Sequence, residues 1–269
     1  STPTFRGTSA SHTLFLWNGI PINPVASAQI DLRLVPTNSF NNLLVSYGGN
    51  STVFGSGSVG GSIHLNNYPV YNQAKSFILN FEKGSFGMSS VSTYLKYSTT
   101  KRYFSFHASK IVDANRFPFT YNNQQLINEH AFTEGENVNS TLAFVLDNKS
   151  DLEFHYWSSN FWREVPGNIM TTNSTAEQTD KSKRIIFSLD RKYKNIKLKL
   201  KEAILYDDLF YEDDPKNIES YSETKSYISE LDINYNYRNL HTDISLLYRD
   251  NYLHNSSYIG LNKLEKSTS

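Results

Sequence analysis

The sequence predicts a mainly β protein, and three observations predict it. From Lys75 onward, short segments of alternating apolar and polar residues recur at strand length. After the first hairpin the connections between them alternate short and long. Aromatic residues reach 14%, with 18 Tyr and 17 Phe, while hydrophobic residues in total are only 38%. Aromatics suit strands and membrane-interface belts. Modest hydrophobicity with alternating aromatic strands is the signature of a barrel wall, because every second residue faces a polar lumen.

Composition narrows the class. The chain has 269 residues, enough for one large β domain or two smaller ones. Lys+Arg and Asp+Glu both total 26, so nothing in the charge points to nucleic acid as a partner. There is no cysteine, hence no disulfide framework and no thiolate metal site or nucleophile. No run of 18 apolar residues occurs, which excludes a transmembrane helix but not a transmembrane barrel. The chain opens on Ser1-Thr2-Pro3-Thr4 with no charged segment leading into an apolar one, so its first residues are not expected to be a signal peptide. An exported protein has one, so the N-terminus is expected to be cut or missing.

Residues 1–68 read as a small strand-and-turn unit. Its strand candidates are Thr13–Trp17, Asn42–Tyr47 and 62–66, with a loop of small residues at 24–29. Residues 45–65 hold six glycines in 21 positions, nearly half of the chain's 13. Glycine at that density serves positive φ angles and close backbone approach. A flexible linker fits poorly, because Val53-Phe54 interrupts the run and a strand closes it. A phosphate loop also fails, because no Lys-Ser/Thr follows and no helix opens. Pro69 and its tyrosine neighbours read as a linker.

Nine strands are expected beyond it, at 76–81, 88–98, 102–111, 138–146, 151–162, 184–193, 196–207, 227–237 and 240–248. One face of each is apolar, as with Phe77, Leu79 and Phe81, or Leu142, Phe144 and Leu146. Lys197, Lys199 and Lys201 lie opposite Ile196, Leu198 and Leu200, as though lining a wet lumen. After Lys201 the alternation slips phase, which predicts a bulge or a rim. The long connections, 112–137, 163–181 and 209–225, all fall on one side. Short turns on one side and long loops on the other favour an outer-membrane barrel over a soluble sandwich.

Four ordered motifs carry a resemblance. Phe5-Arg6-Gly7-Thr8, Leu14 to Asn23 with Asn18-Gly19-Ile20-Pro21 at its turn, Leu34-Val35-Pro36, and the glycine stretch ending at Gly60-Gly61 and Ile63-Leu65 resemble the plug domain of TonB-dependent outer-membrane receptors. Asn18 stands where that family usually has Asp. The flavour is similar to the vitamin B12 receptor branch. The resemblance implies a plug domain (mixed α/β, mostly strands) over residues 1–70. It implies an antiparallel transmembrane β-barrel over 75–269, with about nine of about 22 strands present, hence a fragment. It also implies active transport of a scarce large solute, such as cobalamin or an iron-siderophore, across the bacterial outer membrane. The TonB-ExbB-ExbD complex would be the energy-coupling partner and outer-membrane lipid the surroundings. Glycan import is the alternative within the family, and a surface β-rich binding module the alternative outside it.

Candidate site residues follow. The small residues of the 24–29 loop would let a bulky ligand approach the backbone, and the loop aligns with an apical substrate-contacting loop of the family. This singles out Asn23, Val25, Ala26, Ser27 and Gln29. Arg116 to Asn122 resembles a family loop segment and offers Phe117, Phe119 and Tyr121 to ligand or to rim packing. Asp207, Asp208, Glu212, Asp213 and Asp214 form an acidic cluster, a candidate calcium site by oxygen-ligand chemistry though not by EF-hand spacing, and equally a solvated loop. No other cofactor is implied. The seven histidines are scattered and no nucleophile motif occurs, so no enzyme is expected. Arg6 is expected to make buried ion pairs or hydrogen bonds inside plug and lumen, a structural role.

Overall fold

The computed structural model describes all residues except 1, 4, 6, 49–57, 168–173, 257–262 and 269, and only the backbone of 215 and 263–268. Arg6 and the centre of the glycine run, including Val53-Phe54, lie outside the described residues.

The first unit is a four-stranded sheet. Its strands are β1 (Thr13–Trp17), β2 (Ile20–Pro21), β3 (Asn42–Tyr47) and β4 (Gly61–Asn66), in the order β2-β1-β4-β3. β1 and β4 are parallel, with Thr13 opposite Gly61 and Trp17 opposite Leu65, while β3 runs antiparallel to β4. All five residues of β1 are buried, which is why it reads as an unbroken apolar run rather than an alternating one. A Cβ on Gly61 would lie 2.6 Å from the Ser46 carbonyl, so the strand pairing there needs glycine. Short 3-10 turns at Ala10–His12, Leu32–Leu34 and Thr37–Ser39 fill the connections.

The second unit is a curved wall. It begins with β5 (Ser76–Lys83), β6 (Ser89–Ser98) and β7 (Arg102–Asp113). A separate hairpin, β8 (Pro118–Tyr121) and β9 (Gln124–Ile127), turns on Asn122 and Asn123, both at positive φ as a mirror-image two-residue turn requires. The wall resumes with β10 (Thr133–Asp147), β11 (Ser150–Glu164), β12 (Glu177–Tyr193), β13 (Ile196–Asp213), β14 (Ile218–Tyr237), β15 (Leu240–Asn255) and β16 (Lys263–Thr268). Ten strands join antiparallel, each to its neighbour in the chain apart from the β8–β9 excursion. Among the described residues no helix is long and apolar enough to cross a membrane, which says nothing of strands.

Three expectations need correction. The wall has ten strands rather than nine; β16 escapes sequence reading because Lys-Leu-Glu-Lys-Ser-Thr shows no apolar row. The expected loop 209–225 is mostly strand, since β13 and β14 pair from Asp213 and Ile218 downward and only 214–217 turn. β10, β12 and β14 likewise begin several residues earlier than their apolar rows, because their first outward positions, such as Glu134, Lys181 and Glu223, are polar and show no apolar row. Finally, no bulge follows Lys201: β13 keeps unbroken register with both β12 and β14.

The faces separate cleanly. Leu142, Phe144, Phe187, Leu198, Ile204, Ile244 and Leu246 point outward and remain 36–56% exposed. Tyr193 and Tyr237 border this band at the short-turn end, and Tyr206, Tyr227 and Tyr252 border it at the other, as the aromatic girdles of a membrane barrel do. The inward row is polar and buried under the small sheet, with Asn139, Thr141, His155, Ser182 and Ser188 among its members. One core joins the two units: Phe15, Trp17, Ile20, Ile22 and Leu65 pack with Trp157, Ile186, Leu205 and Ile228 of the wall. Trp17 and Phe40 meet Trp157 edge-on, with ring centroids 5.6 and 5.2 Å away.

Candidate functional site

The segment after β2 climbs from the core toward the long-strand end of the wall. Asn23 anchors its start. Its carboxamide accepts from the Phe15 N–H at 2.7 Å and donates to the Thr13 and Ala28 carbonyls, both at 3.0 Å. A tight turn follows, closed by the Ala28 N–H to the Pro24 carbonyl at 2.8 Å, with Ala28 at φ 55°. The turn leaves Ala26, Ser27 and Gln29 exposed and Val25 half-buried.

Asp31 ends the loop and ties it to the wall. Its Oδ2 accepts from Arg33 Nη2 at 2.6 Å and from Arg163 Nη1 of β11 at 2.8 Å. Arg163 also reaches Asp180 of β12 at 3.2 Å, and Gln178 donates to the same carboxylate. Burial alone would push the Asp31 carboxyl up, but hydrogen bonds from Arg33 outweigh it and hold the carboxyl well below the usual range. The same bond raises Arg33. At the other end of the loop Arg249 of β15 approaches the Asn23 carbonyl at 3.5 Å.

Beneath the loop lies a cavity of about 400 Å³. Ala26, Ser27, Gln29 and Asp31 form its inner side, and Trp157, Phe161, Arg163, Asp180, Arg184 and Asp207 its wall side. Arg184 is fixed on three sides: Nη2 to Asp207 at 2.5 Å, Nη1 to Ser182 at 3.0 Å, and its guanidinium over the Trp157 ring at 4.5 Å. Aromatic surface beside paired, ordered charges suits a solute that carries both apolar area and hydrogen-bonding groups.

The expected residues distribute unevenly. Ala26, Ser27 and Gln29 line the cavity, whereas Asn23 and Val25 are not among its lining and Asn23 serves as a brace. Phe117, Phe119 and Tyr121 belong to the β8–β9 segment, where Phe117 packs edge-on against Phe86 at 6.2 Å and none of the three reaches the cavity. Strand alternation splits the acidic cluster. Asp207 is paired inward with Arg184, and Asp208 takes the neighbouring strand position and accepts from Tyr206. Asp213 pairs with Lys216 at 2.6 Å and Asp214 sits in the turn. Among the described residues no three or more such groups come together to hold a metal ion. Arg163, Asp180 and Arg184 were not singled out from sequence, although each sits on the inward parity of its strand.

Residues 1–62 match the family model described as the TonB-dependent Receptor Plug Domain. Over those residues, which hold most of the small sheet, the chain is similar to the plug of a TonB-dependent receptor. Solved structures share the fold of the wall as well. The copper transporter OprC superposes with a TM-score of 0.76 at 14% identity, over 98% of this chain and 42% of its own. The siderophore receptor PiuA from Acinetobacter baumannii gives 0.72 at 11%, over 99% and 42%. The ferripyoverdine receptor of the outer membrane of Pseudomonas aeruginosa gives 0.65 at 12%, over 90% and 36%. At these identities the likeness establishes the fold alone. By sequence, the vitamin B12 transporter BtuB of Vibrio vulnificus is 36% identical over 70 residues, 26% of this chain and 11% of that protein. The chain thus spans well under half the length of the proteins it matches.

Proposed function

We propose that this chain belongs to an outer-membrane transporter that imports a scarce, large solute, with the plug closing the lumen until the TonB-ExbB-ExbD complex pulls on it. The observation that carries the reading is the cavity between the exposed plug loop 26–29 and the wall strands β11–β14. A solute resting there touches plug and barrel at once, so binding can be read by the part that must move. The outward apolar band with its tyrosine borders is matched to outer-membrane lipid. The chemistry is binding and displacement, with no covalent step.

Cobalamin is the leading solute, supported by the B12 transporter likeness over 70 residues, and ferric siderophores come next, supported by the fold neighbours. The test is growth and uptake in cells with and without the gene. Cobalamin uptake that saturates, requires the gene and stops when the proton-motive force is collapsed supports the reading. Cobalamin uptake unchanged by deletion rejects that solute, and a parallel ferric-siderophore assay then decides between the two.

A further inference from the structure

The wall's inward face changes character abruptly at one level. Above it runs the row Ser159, Ser182, Asp207 and Thr224, and below it the row Glu153, Ser188, Lys201 and Glu230. Between them lies an apolar tier two rows deep: Ile186, Ala203 and Ile228 in the lower row, beside His155, and Trp157 and Leu205 in the upper row, beside Arg184 and Ser226, the five apolar side chains each at most 2% exposed. The tier is in register over three strands, with Ile186 opposite Ala203 and Ala203 opposite Ile228, and continues onto β11 one row higher through Trp157, diagonal to Ile186. It accounts for the phase slip after Lys201. The register does not shift there; Ala203 and Leu205 are inward and apolar because something apolar faces them.

What faces them is the plug. Trp17, Ile20, Ile22 and Leu65, all fully buried, complete the same cluster. The tier is also bracketed by ordered ion pairs. Arg184–Asp207 lies above at 2.5 Å, and Lys201–Glu230 lies below at 2.5 Å with Lys201 and Glu230 nearly buried. The Lys201 ammonium is pressed against the Asn18-Gly19 turn, since a Cβ on Gly19 would lie 2.7 Å from Nζ.

We propose that this tier is a permeability seal: along the arc β11–β14, water and small solutes are stopped by one dry apolar ring segment clamped between plug and wall, not by the bulk of the plug. A constriction lined by apolar side chains excludes water and ions without being sterically closed, because entering it strips their hydration. The polar surface above and below lacks that property, so the barrier is confined to the tier. This rests on the reading of the chain as a plugged membrane pore.

The test uses the complete receptor in the outer membrane of cells whose energy coupling has been collapsed. Ile186→Ser and Ile228→Ser should raise passive influx of a small hydrophilic cephalosporin, read by a periplasmic β-lactamase, several-fold. Ser188→Ala, below the tier, should leave it at the native level. Folding of each variant is read by heat-modifiable migration on a gel. Because the serine variants risk misfolding, a second arm uses near-isosteric Ala203→Cys and exposed Gln29→Cys in a chain that has no cysteine. A charged thiol reagent added outside should label Gln29→Cys and leave Ala203→Cys unlabelled. Labelling of both at similar rates, or folded serine variants that leak no more than native, overturns the seal. Failure of the transport reading shows separately, as a folded native receptor that gives no energy-dependent uptake.

Discussion

Two residues show how much local chemistry the site depends on. Gly19 combines φ +90° with the close approach of Lys201. Gly19→Ala is expected to cost about 1–2 kcal/mol from the left-handed backbone alone, and more because Lys201 cannot retreat without leaving Glu230. Thermal unfolding of Gly19→Ala, Lys201→Ala and the double variant checks this: the double should be less destabilised than the sum. Asp31 is the second case. Its carboxyl is held below the unfolded value, so its contribution is complete above about pH 4 and is lost as pH falls through the lower folded value. Amide exchange across 24–35 should therefore quicken in strong acid, and Asp31→Asn should exchange quickly at neutral pH and lose that acid dependence. Arg163→Ala should do the same to the loop, weakening it by about 1–3 kcal/mol, as expected for hydrogen bonds between charged groups. The Asn18-Gly19 turn and the 24–29 loop were legible from sequence because small and turn-forming residues announce backbone geometry. Arg163 and Arg184 were not, because their meaning lies in which strand neighbours they face.

At the level of elements, the outward apolar band explains both what the sequence disclosed and what it hid. Apolar rows such as Leu142, Phe144 and Leu146 mark only the middle of a strand's outward face, so nine wall strands were readable, while β16, which has no such row, and the extensions of β10, β12, β13 and β14 were not. Glu202 added to the confusion on β13. It points outward within the apolar band and is satisfied there by the Tyr227 hydroxyl at 2.6 Å and the Ser229 hydroxyl at 2.8 Å. The two faces make a sharp prediction. Leu231, which lies between Leu200 and Leu246 on the outward face, should not tolerate charge. Leu231→Arg is expected to cost about 2–4 kcal/mol of folding into bilayers, measured by denaturant titration of the vesicle-bound receptor. A loss no greater than that of Leu231→Ala would show that this face does not meet lipid.

At the scale of the whole molecule, the small sheet and the wall pack as one body. Their shared core, from Phe15 and Trp17 across to Ile186 and Ile228, is continuous, and the cavity is lined by both. The likeness in fold to solved structures covers nearly the whole chain, small sheet and wall together. The most direct test is uptake of labelled cobalamin and of a ferric siderophore by cells carrying the complete gene, before and after the proton-motive force is collapsed. Uptake of one of them that needs both the gene and the energised membrane, with surface binding retained after collapse, is the predicted result. Uptake that continues unchanged in de-energised cells would contradict it, because the plug would then not be holding the lumen closed.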